Sequence, residues 1–339
     1  MWWSPETFEK KKTYLEKRML IVRAMRRFFD ERGFWAVETP ALQECPAVDR
    51  HLHAFKTERK GADLTPLETL YLHTSPELAM KQLMVAGVEK PYQICHVYRN
   101  GEGSRIHACE FTMVEWYRRG EDYRALMEDC EALLKAMAQE IGAAHFEHRG
   151  VECDPFAPWV HLSVREAFER YAGLELDDLL EDRDALAAAA RGIGVRVIES
   201  DGWDDIFHAV MAEKIEPHLG QGTVCILYDY PACLASLARL KPEDTRYCER
   251  FELYVCAVEL ANGFSELTDA QQQSARFETE MQAREKLYGA GEAYPQNKSF
   301  EAAMAYGYPA SAGIALGVDR LVMLACGAEK LDDVLWCGM

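Results

Sequence analysis

The sequence lacks a long apolar run, a secretory leader and any paired cysteine motif. No stretch of 18 consecutive apolar residues occurs, so no membrane-spanning helix is expected. The first three residues are followed by charged residues rather than by an apolar segment, which argues against secretion. The 11 cysteines are scattered without a C-x-x-C pair, as is typical of reduced thiols. We therefore expect a cytoplasmic protein.

Positive charge is also scarce. The chain has 38 Lys and Arg residues against 56 Asp and Glu residues, which gives a net charge of −18. Binding to nucleic acid normally rests on contacts between Lys or Arg and phosphates, so this composition disfavours an extended nucleic-acid surface. A length of 339 residues with 49% hydrophobic content is enough for a globular protein with a large core.

The most informative stretch covers residues 97–118 and predicts two strands joined by a charged, glycine-containing loop. Side chains on a strand alternate between its faces, so Phe111, Glu115 and Tyr117 share one face of the second strand. Arg99 lies at the mouth of the same hairpin. A ring, a carboxylate and a cation suit a nucleotide together with an amino acid. An ordinary hairpin with a solvated charged face explains the same residues equally well.

The N-terminal region predicts a long amphipathic helix over residues 6–32 and a strand that stops before Pro40. The apolar stripe of this helix is Leu15, Met19, Val22, Met25 and Phe29. Ile21 and Phe28 widen the stripe and could face either a partner subunit or more core. Further along, Ser75-Pro76-Glu77 has the composition of a helix start, so these residues could serve only as a cap.

The middle of the chain, residues 151–222, predicts a mostly helical insertion that covers the sheet. Residues 251–267 carry Glu252, Glu259 and Glu266 among aromatic and β-branched residues, and Asn262-Gly263 favours two strands rather than a helix. Carboxylates in such apolar strands are costly to bury without a cation. Mg²⁺ bound by one or two carboxylates and by substrate phosphates would resolve that cost, and solvent-facing glutamates on an edge hairpin are the alternative.

The last region, residues 311–326, predicts a strand, a turn at Gly317 and a helix. Arg320 lies in the first turn of that helix, where backbone N–H groups already favour an anion. A cation at this end opposes the helix dipole, which indicates a specific anionic partner. Gly317 would allow a ligand to approach the backbone closely.

Three of these segments resemble the signature motifs of class II aminoacyl-tRNA synthetases. They are the helix and strand before Pro40, the hairpin that begins at Arg99, and the segment Gly317-Val318-Asp319-Arg320. The segments at 75–77, 110–117 and 259–267 are similar to those of the lysyl branch. The resemblance spans about residues 15–326. It implies an α+β fold, an antiparallel sheet flanked by helices, in a single catalytic domain over residues 1–339 that forms a homodimer through the first helix.

Lysyl-tRNA synthetases carry an anticodon-binding domain before motif one, and here motif one begins within the first twenty residues, so we expect that domain to be absent. Such a core is similar to a paralogous family of ligases that attach lysine or (R)-β-lysine to a lysine of elongation factor P. Ala315 fits these paralogues, since lysyl-tRNA synthetases usually have Gly there. The implied partners are elongation factor P and lysine or (R)-β-lysine, and tRNA is disfavoured.

The resemblance also implies roles for particular residues. Catalysis would rest on Arg99 and Arg320, which would stabilise the phosphates of ATP. The amino acid would be bound by Ser75, Pro76, Glu77, Glu115, Tyr117, Glu259, Asn262 and Glu266. ATP would be bound by Arg99, Asn100, Gly101, Ala108, Phe111, Glu252, Leu253, Gly317 and Arg320, and Mg²⁺ by Glu252 and Glu259.

Two positions depart from the family pattern in motif two. The family's Arg-x-Glu reads RNG at 99–101 with Glu102 next, and its His-Asn-Pro-Glu-Phe reads HACEF at 107–111. The loss of a carboxylate at Gly101 and of an amide at Ala108 should weaken recognition of adenine unless Glu102 takes over the contact.

The implied reaction has two steps, adenylate formation and transfer to a protein amine. Two alternatives remain open: a truncated lysyl-tRNA synthetase that acts on tRNA, and a non-catalytic binding or regulatory paralogue, which the departures at Gly101 and Ala108 favour.

Overall fold

The computed structural model describes residues 3–46 and 49–337. Its α-helices are α1 (Pro5–Glu31), α2 (Glu77–Val85), α3 (Tyr123–Ile141), α4 (Val164–Ala167), α5 (Arg183–Gly192), α6 (Trp203–Val210), α7 (Ala270–Tyr288), α8 (Lys298–Gly307) and α9 (Val318–Cys326). Each helix in these ranges is too short or too polar to cross a membrane.

The strands alternate with these helices along the chain. They are β1 (Trp35–Ala36), β2 (Leu42–Gln43), β3 (Lys56–Lys60), β4 (Pro66–Leu72), β5 (Pro91–Tyr98), β6 (Glu110–Arg119), β7 (Phe146–His148), β8 (Val151–Asp154), β9 (Val160–Ser163), β10 (Gly222–Thr223), β11 (Cys225–Pro231), β12 (Tyr247–Val255), β13 (Val258–Ser265) and β14 (Ser311–Gly317).

The central sheet has the strand order β1-β5-β6-β14-β13-β12-β11-β9. All neighbouring pairs from β5 to β11 are antiparallel. The two edge pairs, β1 with β5 and β9 with β11, are parallel. The predicted α+β class is therefore confirmed, with a sheet that is antiparallel in its middle and mixed at its edges.

One face of the sheet carries the main hydrophobic core, which α1, α3 and α9 cover. On β6 this face presents Val114 and Trp116, both fully buried. The ring of Phe29 from α1 stacks on Tyr92 at 4.7 Å and lies 5.2 Å from Trp116. Because side chains alternate along β6, the opposite face is left for Phe111, Glu115 and Tyr117.

The inward stripe of α1 differs from the predicted one. Met19 is 38% exposed, whereas Ile21 and Phe28 lie in the core, so the wider stripe serves packing within the chain. One turn after Leu15, the inward face of α1 carries Arg18, which is buried. Arg18 forms an ion pair with Asp319 of α9 and donates a hydrogen bond to Thr112 Oγ1 of β6 at 2.9 Å. Arg18 thus takes the inward position predicted for Met19, because the buried carboxylate of Asp319 pairs with its charge.

The predicted insertion at 151–222 is helical only from residue 164. Its first part forms β8 and β9, and β9 pairs with β11 at the sheet edge, because Val160 and Leu162 continue a strand pattern that a sheet neighbour can bind. Residues 164–218 fold around a separate core, in which Phe168 and Phe207 stack at 5.0 Å. Leu227 and Tyr254 of the sheet belong to this core, so the helical segment packs against the sheet.

The two strands predicted within residues 251–267 exist, but the turn between them is not at Asn262-Gly263. It lies at Cys256-Ala257, where both residues have positive φ. Gly263 sits inside β13, and a Cβ there would lie 2.8 Å from a ring carbon of Phe251. Close packing, rather than a turn, accounts for this glycine.

Candidate active site

A cavity of about 350 Å³ opens on the face of the sheet opposite the main core. Its wall is built from β6, β13 and β14, the loop between β5 and β6, and the start of α2. Most of the predicted site residues line it: Ser75, Glu77, Arg99, Ala108, Phe111, Glu115, Tyr117, Glu259, Asn262, Gly317 and Arg320. Residues from distant parts of the sequence therefore meet in one pocket.

Strand register places three residues of the pocket floor and the neighbouring Glu252 in a single row. Glu115 on β6 pairs with Ala315 on β14, which pairs with Asn262 on β13, which in turn pairs with Glu252 on β12. Directly paired residues on neighbouring strands share one face of a sheet. The small side chain of Ala315 thus separates a carboxylate from an amide.

Glu115, at the β6 end of this row, is buried, with 1% of the residue's surface exposed. It accepts hydrogen bonds from Ser75 Oγ at 2.5 Å and from the Tyr117 hydroxyl at 2.9 Å. Ser75 Oγ in turn accepts from the backbone N–H of Glu77, the first residue of α2, at 3.0 Å, although the cap position itself is taken by Pro76. Burial and the charge of Glu77 raise the pKa of Glu115 to about 7. This carboxylate is short of a cation, which an amine of a ligand could supply.

At the other end of the pocket, Arg99 lies beside the aromatic ring of Phe111. The Arg99 guanidinium lies 5.2 Å from the ring centroid of Phe111 and 3.8 Å from the carboxylate of Glu102. Glu102 lines the pocket, whereas Gly101 does not and has a φ of +81°. A side chain at position 101 would be strained, so the loop presents its carboxylate from position 102.

This loop geometry gives a prediction for Glu102. If Glu102 supplies the contact that the family's motif-two carboxylate makes, Glu102→Gln should raise the KM for ATP about three- to tenfold, on the scale of one charged hydrogen bond partly exposed to water. Gly101→Glu should not tighten ATP binding, because of the positive φ. Steady-state ATP titrations of both variants check this, with Glu329→Gln, on an exposed ion pair, as the control. An unchanged KM in Glu102→Gln would contradict it.

Arg320 is held from three sides at the start of α9. It donates to His107 Nε2 at 2.7 Å, to the Glu259 carbonyl at 2.8 Å and to the Ile106 carbonyl at 3.2 Å. His107 can accept this bond only as a neutral imidazole, and burial followed by the charge of Arg320 lowers its pKa accordingly. The motif-two loop and β13 thus fix a second cation that lines the same pocket as Arg99.

Glu259 reaches the pocket because of an irregularity in β13. Glu252 pairs with Asn262, and strict alternation would turn Glu259 to the face opposite both. The register shifts by one residue at Leu260, so Glu259 pairs with Tyr254 and returns to the pocket face. Its side chain is 45% exposed, but that surface opens into the pocket. Burial there and the charge of Glu252 raise the pKa of Glu259.

Glu252 and Glu259 have the chemistry of a partial site for a divalent cation. Glu252 already accepts hydrogen bonds from Arg250 and Tyr254, each at 2.8 Å. Across residues 3–46 and 49–337, no cluster of three or more His, Cys, Asp or Glu side chains has the geometry to bind a metal alone. A cation at these two carboxylates would relieve their mutual repulsion and would need further ligands from a substrate.

The remaining predicted residues, Glu252 and Gly101 among them, lie outside the pocket wall. Leu253 belongs to the main core, so only its backbone faces the ligand side. Glu266 is fully buried and pairs with Lys81 at 2.7 Å. Asn100 donates its backbone N–H to the His53 carbonyl at 2.7 Å. Pro76 occupies the cap position of α2.

Arg250 is the main pocket residue that the sequence reasoning missed. It donates to Glu252, to Asn262 Oδ1 at 3.1 Å and to the Leu234 carbonyl at 2.8 Å, and it lies 4.5 Å from the Tyr230 ring centroid. The signal was available, because alternation along β12 puts Arg250 on the same face as Glu252. An arginine two residues before a predicted ligand glutamate on a strand is a candidate ion-pair partner of that glutamate.

Comparison with known proteins agrees with this architecture. The family model described as "tRNA synthetases class II (D, K and N)" matches residues 7–337. A protein of Pectobacterium carotovorum subsp. carotovorum named "Elongation factor P--(R)-beta-lysine ligase" is 40% identical over 326 residues, which cover 95% of this chain and 93% of that protein. Proteins with the same name from Pectobacterium atrosepticum and Salmonella schwarzengrund are also 40% identical, each covering 95% of this chain and 93% of its own length.

The match to the family extends over nearly the whole chain and includes every strand of the pocket. The relatives are similar in length to this chain, and the matched regions cover 95% of this chain and 93% of the first of them. The chain therefore belongs to the class II tRNA synthetases of the D, K and N type.

Proposed function

We propose that this protein activates lysine or (R)-β-lysine with ATP and transfers it to a lysine side chain of elongation factor P. The observation that carries the proposal is the buried Glu115 carboxylate, placed in one pocket with two fixed arginines. Glu115, which would bind an amine, and Phe111 beside Arg99, which would bind the nucleotide, lie four residues apart on β6 and so about 14 Å apart at ~3.4 Å per residue, which suits an aminoacyl-adenylate. The names of the 40%-identical relatives supply the acceptor.

In the first step, an oxygen of the amino acid's carboxylate attacks the α-phosphorus of ATP, and pyrophosphate leaves. Arg99 and Arg320 stabilise the negative charge that builds on the phosphates, and Phe111 stacks on adenine. Glu115 and Glu77 hold the substrate's amines. In the second step, the acceptor amine attacks the carbonyl carbon of the adenylate, forming an amide and releasing AMP. Catalysis rests on positioning and charge stabilisation, with no side-chain nucleophile.

Mg²⁺ would be held by Glu252 and Glu259 together with phosphate oxygens of ATP. Bound there, it would neutralise phosphate charge and orient the leaving pyrophosphate. Arg250 supports this arrangement by fixing the Glu252 carboxylate. Dimerisation through α1 is a further part of the proposal, and the exposed Met19 and Leu20 on that helix support it.

The experiment that tests activation is ATP–pyrophosphate exchange with the purified protein. Exchange should require lysine or (R)-β-lysine and should not occur with aspartate or asparagine, whose shorter, anionic or neutral side chains leave Glu115 without a cation. Absence of exchange with every amino acid would instead support a non-catalytic binding paralogue.

A further inference from the structure

Lys81 is a buried cation directly behind the amino-acid end of the pocket. It lies on α2, one turn after Glu77, with only 3% of its side chain exposed. Its ammonium is 2.7 Å from a carboxylate oxygen of Glu77 and 2.7 Å from one of Glu266. The Phe264 ring centroid lies 5.2 Å away. Lys81 does not line the cavity, so a substrate does not reach it directly.

The surroundings of Lys81 are rich in acidic groups. Glu77 faces it from α2, and Glu266 from the position directly after β13, while Glu115 on β6 adds negative charge beside Glu266. The phenols of Tyr117 and Tyr308 also face this group of carboxylates. The positive charge of Lys81 lowers the pKa of both Glu115 and Glu266. It therefore offsets the mutual repulsion of the three carboxylates of Glu77, Glu115 and Glu266.

The protonation of this cluster follows from that balance. Although burial disfavours its charge, Glu266 and Glu77 raise the pKa of Lys81, so the ammonium persists. Burial raises the pKa of Glu266, Lys81 opposes that rise, and the charges of Glu77 and Glu115 add to it. Without Lys81, Glu77 and Glu115 would take up protons more readily, because neighbouring negative charges in a low-dielectric site favour the neutral, protonated form. A protonated carboxyl group binds the substrate's ammonium less well.

The side chains around Lys81 are closely packed. A Cβ at Gly313 of β14 would collide with the Glu266 carboxylate and with the Tyr117 ring, so that strand carries a glycine where the two side chains cross it. Lys81 ties Glu77 on α2 to Glu266 on the sheet. Glu77 in turn connects through its backbone and Ser75 to Glu115.

We propose that Lys81 is a positioning residue for substrate selection: it fixes the Glu77 carboxylate at the pocket wall and keeps a proton from taking the place of the substrate's ammonium. This inference rests on the proposed function, because the substrate it concerns is the lysine-type amino acid. Lys81 would act on the substrate through Glu77 and Glu266, without contacting the substrate itself.

The test is Lys81→Met, which keeps the length of the side chain and removes its charge. In lysine-dependent exchange at pH 7, the KM for lysine should rise about tenfold, the effect of roughly one unit in the pKa of a binding carboxylate, while the KM for ATP changes less than twofold. The ratio of mutant to wild-type lysine KM should fall as the pH rises from 6 to 9, because hydroxide removes the extra protons. A purely structural role would not produce that pH dependence.

Lys135→Met is the matched control, since Lys135 forms the same type of i,i+4 pair with Glu131 at 2.5 Å on α3, away from the pocket. It should leave both KM values unchanged. A lysine KM for Lys81→Met that is unchanged, lowered, or raised equally at every pH would overturn the inference. Failure of the wild-type protein to exchange with lysine would instead overturn the proposed function.

A second variant covers the case in which Lys81→Met does not fold. Lys81→Met combined with Glu266→Gln leaves neither member of the buried pair charged, so folding should be retained. Its lysine KM should be raised at pH 7 and should recover towards the wild-type value as the pH rises to 9, because Glu77 and Glu115 still gain protons when Lys81 is absent. A wild-type lysine KM in this double variant would show that neither charge is needed and would overturn the inference.

Discussion

Arg99→Ala is expected to lower the rate of adenylate formation by about 10²–10³-fold, the usual consequence of removing one charge-stabilising donor from an active site. The structure gives the physical reason. Arg99 stands at the mouth of the pocket, 26% exposed, with its guanidinium near Phe111 and its Nε 3.5 Å from the Thr74 carbonyl. Its nearest carboxylate, Glu102, is 3.8 Å away, so the cation remains available to phosphate oxygens.

The measurement for Arg99 is lysine-dependent ATP–pyrophosphate exchange by a folded variant. Arg105→Ala is the matched control, because Arg105 belongs to the same loop but is 59% exposed and pairs with Glu329 outside the pocket. The control should retain activity within a few-fold of wild type, since exposed ion pairs contribute little. Normal exchange by Arg99→Ala would contradict the placement of the phosphates at this end of the pocket.

Glu115→Gln is the second substitution with a large expected effect. A buried carboxylate that receives an ammonium contributes about 2–5 kcal/mol when one partner is removed. We therefore expect the KM for lysine or (R)-β-lysine to rise about 30-fold or more, on the scale of a factor of ten for each 1.4 kcal/mol. The KM for ATP should change far less, because Phe111 and the arginines lie at the other end of the pocket.

The same residue predicts a pH dependence with a definite sign. Burial, then the charge of Glu77, raises the pKa of Glu115 to about 7, so the free protein holds a neutral carboxyl group below that pH. Binding of the amino acid should therefore strengthen as the pH rises through about 7, and Glu115→Gln should remove that dependence.

Glu110→Gln is the control for Glu115→Gln, since Glu110 lies at the exposed start of the same strand, 3.3 Å from His96. Its kinetic constants should match those of wild type. A collapse of ATP binding with unchanged lysine binding in Glu115→Gln would mean that the two ends of the pocket have been assigned the wrong way round.

The sequence predicted those parts of the pocket that depend on regular strand geometry. Phe111, Glu115 and Tyr117 were placed on one face by alternation alone, and the structure has them there. The helix predicted over residues 6–32 is α1 (Pro5–Glu31), because a long amphipathic segment gives a clear helix pattern. These features are local, so a local pattern carries them.

The parts that could not be predicted depend on tertiary contacts. The register shift at Leu260 turns Glu259 toward the pocket, and no residue in the sequence of β13 indicates that shift. Arg18 and Lys81 read as surface residues, because a buried cation is expected only when its partner is known, and Asp319 and Glu266 lie far away in sequence. Asn262-Gly263 suggested a turn, yet the glycine is required by the Phe251 ring across the sheet.

The acceptor is the central claim, and composition supports a protein over tRNA. The net charge of −18 is unfavourable for a ligand that depends on many phosphate contacts. The basic residues near the pocket mouth, among them Arg99 and Arg105, are too few to follow a tRNA backbone but enough to orient ATP. An acidic protein loop could also be steered by them.

The most direct measurement incubates the protein with labelled lysine or (R)-β-lysine, ATP, elongation factor P and total tRNA in one reaction. We predict that the label appears on elongation factor P, survives mild base because it is an amide, and adds one lysine residue to the intact mass of that protein. Label found mainly in a base-labile tRNA fraction would contradict this account and identify a lysyl-tRNA synthetase activity instead.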